Sequence, residues 1–204
     1  MERPDAIMVF GGRLSTTDFA TTLLFNLRYH PETVPLPGPP SYDNDIAGVE
    51  YEHDLFDFKH DVHFLAEVGL ADRFGHYLVC CQVPGYRDST VLTTNRIHTF
   101  ELWTGGKFRW DNFHLGDFGL LEVAVTGGFS AVSRPLGRER QREIDDGGNA
   151  HFLYYLAPEI GISLRAHPNF ELVMRLPHRS GGGGTLGDME EAYNANVLGL
   201  RYSF

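Results

Sequence analysis

The 204-residue chain is 42% hydrophobic and 13% aromatic, too apolar for a disordered polypeptide, while its 22% charged residues exclude a helical membrane bundle. No apolar run approaches the roughly 20 residues that a spanning helix needs. The net charge of -10, with 17 basic residues scattered among 27 acidic ones, argues against nucleic acid, which requires clustered Lys and Arg.

Because no linker separates two apolar regions, residues 1–204 read as a single domain. The opening "MERPDAIMVF" lacks a charged segment followed by an apolar one, so no leader peptide is read in it. Period-two alternation of aromatic and β-branched residues then predicts eight strands, near 5–15, 45–53, 60–70, 95–109, 117–130, 151–164, 169–180 and 193–204. "TLLFNLRY" (22–29) reads as a further strand or as part of the first loop. Cys80 and Cys81 are adjacent and would point opposite ways in a strand, which makes them a poor disulfide pair. Helical periodicity with caps is absent, so an all-β chain is expected, with "RERQREIDD" a solvated loop.

Long and short connections alternate strictly. The long ones are the proline-rich stretch after the first strand, "ADRFGHYLVCCQVPGYRDST", "SRPLGRERQREIDDGGN" and "GGGGTLGDMEE"; the short ones are "DLFDFKH", "WDNFHLG" and "RAHPN". An up-and-down meander places all long loops at one end, the plan of bacterial outer-membrane barrels. Side-chain parity agrees. One face carries Val62, Phe64, Val68, Phe100, Leu102, Leu121, Val123, Leu156, Ile162, Leu172, Met174, Leu198 and Leu200. The other carries Glu67, Glu101, Lys107, Arg109, Glu122, Glu159, Arg175 and Arg201. A soluble, lipocalin-like barrel needs the apolar face inside. The predicted fold is therefore an all-β, eight-stranded antiparallel up-and-down transmembrane β-barrel with an ion-paired lumen. Of the aromatic residues, Trp103, Trp110, Tyr154, Tyr155 and Tyr202 suit either an interfacial girdle or lumen packing.

In "FELVMRLPHRSGGGG" (170–184), His178 and Ser180 are two apart and share a strand face with Phe170, Leu172 and Met174, so they should look outward at the long-loop rim. Asn194 and Asn196 lie on the same face of the last strand. A histidine can act as base for a serine nucleophile when a third polar group orients its ring. An interfacial His beside a turn serine is the competing reading. The remaining histidines, among them His60, His63, His76 and His98, show no spacing typical of a metal site.

The segments "LLEVAVTGGFSAV", "YYLAPEIGISL", "FELVMRLPHRSG" and the terminal "NANVLGLRYSF" resemble the lipid A 3-O-deacylase family, eight-stranded outer-membrane esterases with a His-x-Ser-Asn motif late in the seventh strand. The resemblance implies His178 as general base and Ser180 as nucleophile, with no cofactor, acting on lipopolysaccharide in the bacterial outer membrane. The family's acidic third member falls at or near Asn196, with Glu190 and Glu191 as substitutes. The motif's Asn is Gly181 here, which leaves the oxyanion to backbone N–H groups of the glycine run or to Asn194. The departure at Gly181 and the absence of an acid on the last strand favour a second reading, a non-catalytic barrel with a structural or partner-binding role in the envelope.

Overall fold

The computed structural model describes residues 5–15, 19, 20, 22, 42–58, 61–80 and 90–204. Its strands are β1 (Asp5–Ser15), β2 (Tyr42–Phe58), β3 (Val62–Cys80), β4 (Thr90–His114), β5 (Gly119–Val132), β6 (Phe152–Leu164), β7 (His167–Arg175), β8 (His178–Ser180) and β9 (Glu191–Ser203). All pairings are antiparallel, from β1–β2 in chain order to β6–β7, and β1 pairs with β9, which closes the sheet. β7 and β8 are two halves of one stave: both pair with β6 and with β9. The break falls at Pro177, which has no N–H to give to a ladder. The barrel is thus eight-stranded, as the alternation of connections predicts.

Two elements differ from expectation. The stretch between the third and fourth predicted strands is largely a continuing hairpin, with Leu78 opposite Leu92 and Cys80 opposite Thr90, so both strands run beyond their predicted ends there. The expected solvated loop "RERQREIDD" is instead a helix, α1 (Arg138–Asp146), closed by Gly147 at φ 69°, a conformation glycine adopts without a Cβ penalty. It brings Glu139 and Glu143, one helical turn apart, onto a buried face. Residues 23–29 and the Cys81 position lie outside the described residues.

Exposed apolar side chains cover the outside, from Ile7 and Val9 through Leu70, Phe100 and Leu172 to Leu198 at 56% exposure. They are bounded by polar side chains. Along the outward face of β1, Asp5 meets His53 at 2.9 Å and Arg13 meets Asp45 at 3.3 Å. The eight residue steps between them, ~3.4 Å each and tilted by ~40°, rise about 21 Å, close to the ~25 Å apolar band of outer-membrane barrels.

The lumen is ionic over much of its length. Arg201 reaches Glu52 at 3.0 Å, Glu122 at 2.6 Å and Glu171 at 2.5 Å, and also contacts Glu159. Lys107 bonds Glu52 at 2.6 Å and Glu159 at 2.5 Å, and Arg175 contacts Glu50 and Glu67. Isolated charges here would be prohibitively costly; this mutual pairing makes their burial tolerable. Above the ion pairs, Phe10, Trp103 and Tyr155 pack together, with Trp103 and Tyr155 stacked at 5.5 Å, and Trp103 Nε1 donates to Glu67 at 2.8 Å. Trp103 and Tyr155 are therefore lumen residues, while Trp110, Tyr154 and Tyr202 face outward. At the long-loop end α1 caps the bore: Glu139 accepts from both Arg73 and Arg179, whose guanidiniums lie 4.6 and 5.8 Å from the Tyr193 ring.

Candidate functional site

Strand alternation places the rim residues as expected. Arg179 points into the bore toward Glu139, so His178 and Ser180 take the opposite, outward face. Outward does not mean open to lipid. His178 is only 9% exposed because the Phe19 ring lies over it, centroids 4.5 Å apart, and the Phe19 N–H donates to Glu191 at 3.3 Å.

The register opposes His178 to Asn194 and Ser180 to Glu191. A shift between these pairs accommodates the extra residue on β9, so Glu191 comes round to the serine. His178 Nδ1 lies 2.7 Å from Asn194 Oδ1, and Asn194 is fully buried. Since the amide oxygen can only accept, Nδ1 carries the proton and a neutral ring keeps Nε2 as an acceptor. Asn194 thus sits where an orienting group belongs, and Asn196 lies further along β9, opposite Arg13 of β1. Ser180 makes no side-chain hydrogen bond among the described residues. Glu191 is held by Arg142 of α1 at 3.2 Å, and Arg142 also donates to the Ala192 carbonyl at 3.1 Å. Glu190 lies beyond this group, its N–H taken by Asp146 at 3.3 Å.

The glycine run is a built turn. Gly181 N–H donates to Glu190 O at 3.1 Å, Leu186 N–H to Gly181 O at 2.9 Å, and Thr185 Oγ1 to Gly181 O at 3.0 Å. A Cβ at Gly181 would meet Met189 O at 2.0 Å and Leu186 O at 2.4 Å, so no asparagine fits there in this conformation. The N–H groups of Gly182 and Gly183, both at positive φ, make no backbone hydrogen bond among the described residues. They are the donors left for an anion at the rim.

A second cluster, unmarked by sequence spacing, lies at the short-turn end, where donor atoms of Asp54, Asp57 and His63 fall within 4.8 Å of one another. A further outward histidine, His98, pairs with Asp72 at 2.8 Å and stacks on Phe74.

No protein-family model matches the chain, and no curated protein matches it. Solved structures do. The outer membrane enzyme PagL superposes with a TM-score of 0.56 over 98% of this chain and 99% of that one, at 9% identity. Outer membrane protein Ail of Yersinia pestis gives 0.42 over the full length of both chains at 13% identity. OprG from Pseudomonas aeruginosa gives 0.42 over 100% of this chain and 97% of that one at 11% identity. At 9% identity the PagL superposition speaks to architecture alone, and with the closed sheet, apolar exterior and ionic bore it shows that this chain has the fold of a small bacterial outer-membrane β-barrel.

Proposed function

We propose that the protein is an outer-membrane serine esterase that removes an acyl chain from lipid A in the outer leaflet. The observation that carries this reading is the His178–Asn194 contact, which presets the imidazole with its proton on Nδ1 and its lone pair on Nε2. Ser180, on the same strand face, gives its proton to Nε2 and attacks the acyl carbonyl. The alcohol leaves with that proton, and water then hydrolyses the acyl-enzyme with His178 again as base. The N–H groups of Gly182 and Gly183 take the oxyanion, since that of Gly181 is committed to Glu190. Arg142 keeps Glu191 beside the serine. No cofactor enters. For an acyl chain to reach the imidazole, the Phe19 ring must give way to it.

The test is incubation of the refolded protein with lipopolysaccharide, followed by mass spectrometry of the lipid A. The expected result is loss of one hydroxyacyl chain, abolished in Ser180→Ala and in His178→Ala. An unchanged mass, under conditions where a known deacylase works, sinks the esterase reading. It would leave the second one, a non-catalytic envelope barrel with a structural or partner-binding role, which the missing Ser180–His178 hydrogen bond favours.

A further inference from the structure

Three of the four glycines that follow β8, Gly182, Gly183 and Gly184, hold φ at 62°, 70° and 83°. A Cβ is strained in that region, so a run of three such residues needs glycine. The run is tied at both ends: Gly181 N–H donates to Glu190 O at 3.1 Å and Gly184 N–H to Met189 O at 2.9 Å. Between these ties lie two peptide units, 181–182 and 182–183, whose orientation has to be set by something else.

Thr185 sets it. Its Oγ1 lies 3.0 Å from Gly181 O and 3.2 Å from Gly182 O. A carbonyl oxygen only accepts, so the single hydroxyl proton is shared between the two. In a planar trans peptide the N–H points opposite to the C=O. Two carbonyls drawn to one hydroxyl therefore turn the N–H groups of Gly182 and Gly183 away from it together.

The surroundings place this turn beside the serine. A Cβ at Gly182 would lie 3.0 Å from both Thr185 Oγ1 and the Tyr154 ring, so Gly182 is wedged between the hydroxyl and that ring. Tyr154 is the β6 partner of Ser180, and its ring is backed by Phe129 at 5.6 Å. Beside Gly183 and Gly184 the space is open: a Cβ at either position would meet nothing within 4 Å.

We propose that Thr185 is the positioning residue of an oxyanion site formed by the N–H groups of Gly182 and Gly183; its use in catalysis rests on the esterase reading above. Thr185 acts through the turn, by holding both peptide planes, and makes the glycine run a preorganised donor pair in place of an asparagine side chain. The two planes are not held equally. Gly181 O also accepts from Leu186 N–H at 2.9 Å, whereas among the described residues Gly182 O accepts from Thr185 alone. Loss of the hydroxyl therefore releases the Gly183 N–H first.

The probe is decylphosphonate, a tetrahedral oxyanion that cannot be cleaved, titrated into the full chain refolded in detergent micelles and followed by NMR of isotope-labelled glycine amides. The Gly182 and Gly183 amides should shift saturably in the parent and in Thr185→Ser, which keeps the hydroxyl. In Thr185→Val and Thr185→Ala the affinity should fall about tenfold, the worth of one hydrogen bond, and the Gly183 shift should be lost while Gly182 still moves. On lipopolysaccharide the same two variants should lower kcat by about tenfold or more with KM unchanged, and Thr185→Ser should restore it. Heat-modifiable gel mobility checks that each variant is folded. Absence of saturable shifts at Gly182 and Gly183 in the parent overturns the proposal, and so does an undiminished Gly183 response in a folded Thr185→Val. Hydroxyl-dependent shifts beside an unchanged lipid A mass uphold the oxyanion site and sink the esterase reading instead.

Discussion

Asn194 and His178 face each other across the β8–β9 pair, and their 2.7 Å contact fixes both the tautomer and the tilt of the imidazole. On the esterase reading Asn194 is a positioning residue. Asn194→Ala should lower kcat by about a hundredfold, the lower range of what a positioned general base contributes, with little change in KM. Asn194→Asp retains the acceptor and should recover most of the rate. Deacylation kinetics on purified lipopolysaccharide give both numbers.

Phe19 shields the same imidazole. Phe19→Ala should make His178 react several times faster with diethylpyrocarbonate, followed by peptide mass mapping. Equal labelling rates would mean that the ring does not govern access.

Placing at position 181 the asparagine of the lipid A 3-O-deacylase motif should not raise activity. A side chain there collides with the carbonyls of Met189 and Leu186, so Gly181→Asn must open the turn that ends β8. The variant is expected to lose thermal stability and to be no more active than the parent, as measured by melting and by lipid A mass.

Glu139 is the shared partner of Arg73 and Arg179, all three fully buried. Glu139→Ala leaves two buried cations to share Glu101, 3.7 Å from Arg73 and 3.8 Å from Arg179, and removal of one member of a buried pair costs about 3–5 kcal/mol. Loss of the α1 cap should appear as faster proteolysis between residues 133 and 150.

Val9 lies midway between the Asp5 and Arg13 boundaries, on the outer face, opposite Val49 and Leu200. Val9→Arg should destabilise the barrel by about 2–4 kcal/mol in lipid vesicles, the midplane cost of arginine. Ala6→Arg is the contrasting change, since it enters the bore and fails by overpacking rather than by lipid exposure.

Much of this architecture is visible in the chain as text. Period-two alternation assigns Glu67, Lys107, Arg175 and Arg201 to one face and Leu172 and Leu198 to the other, and the only arrangement that suits both is an inside-out barrel. The outward aspect of His178 and Ser180 follows from the same parity. What parity cannot provide is stagger between strands. Asn194 and Asn196 share a face, and the choice between them rests on the β8–β9 register and its extra residue, a matter of turn geometry. The helix was hidden because Glu139 and Glu143 are buried by ion pairs and backbone donors rather than by an apolar stripe. The cluster around His63 draws on the ends of β2, β3 and β4, residues unmarked by sequence spacing that come together when these three strands pair.

The stacked Trp103–Tyr155 pair crosses the middle of the bore, with interlocked ion pairs on one side and the Glu139-anchored helix on the other. A solute entering from either end would have to break several charge pairs before meeting the rings. Reconstituted in a planar bilayer under applied voltage, the protein should be electrically silent, and whatever it does for the cell is done on its outer wall and at its two mouths.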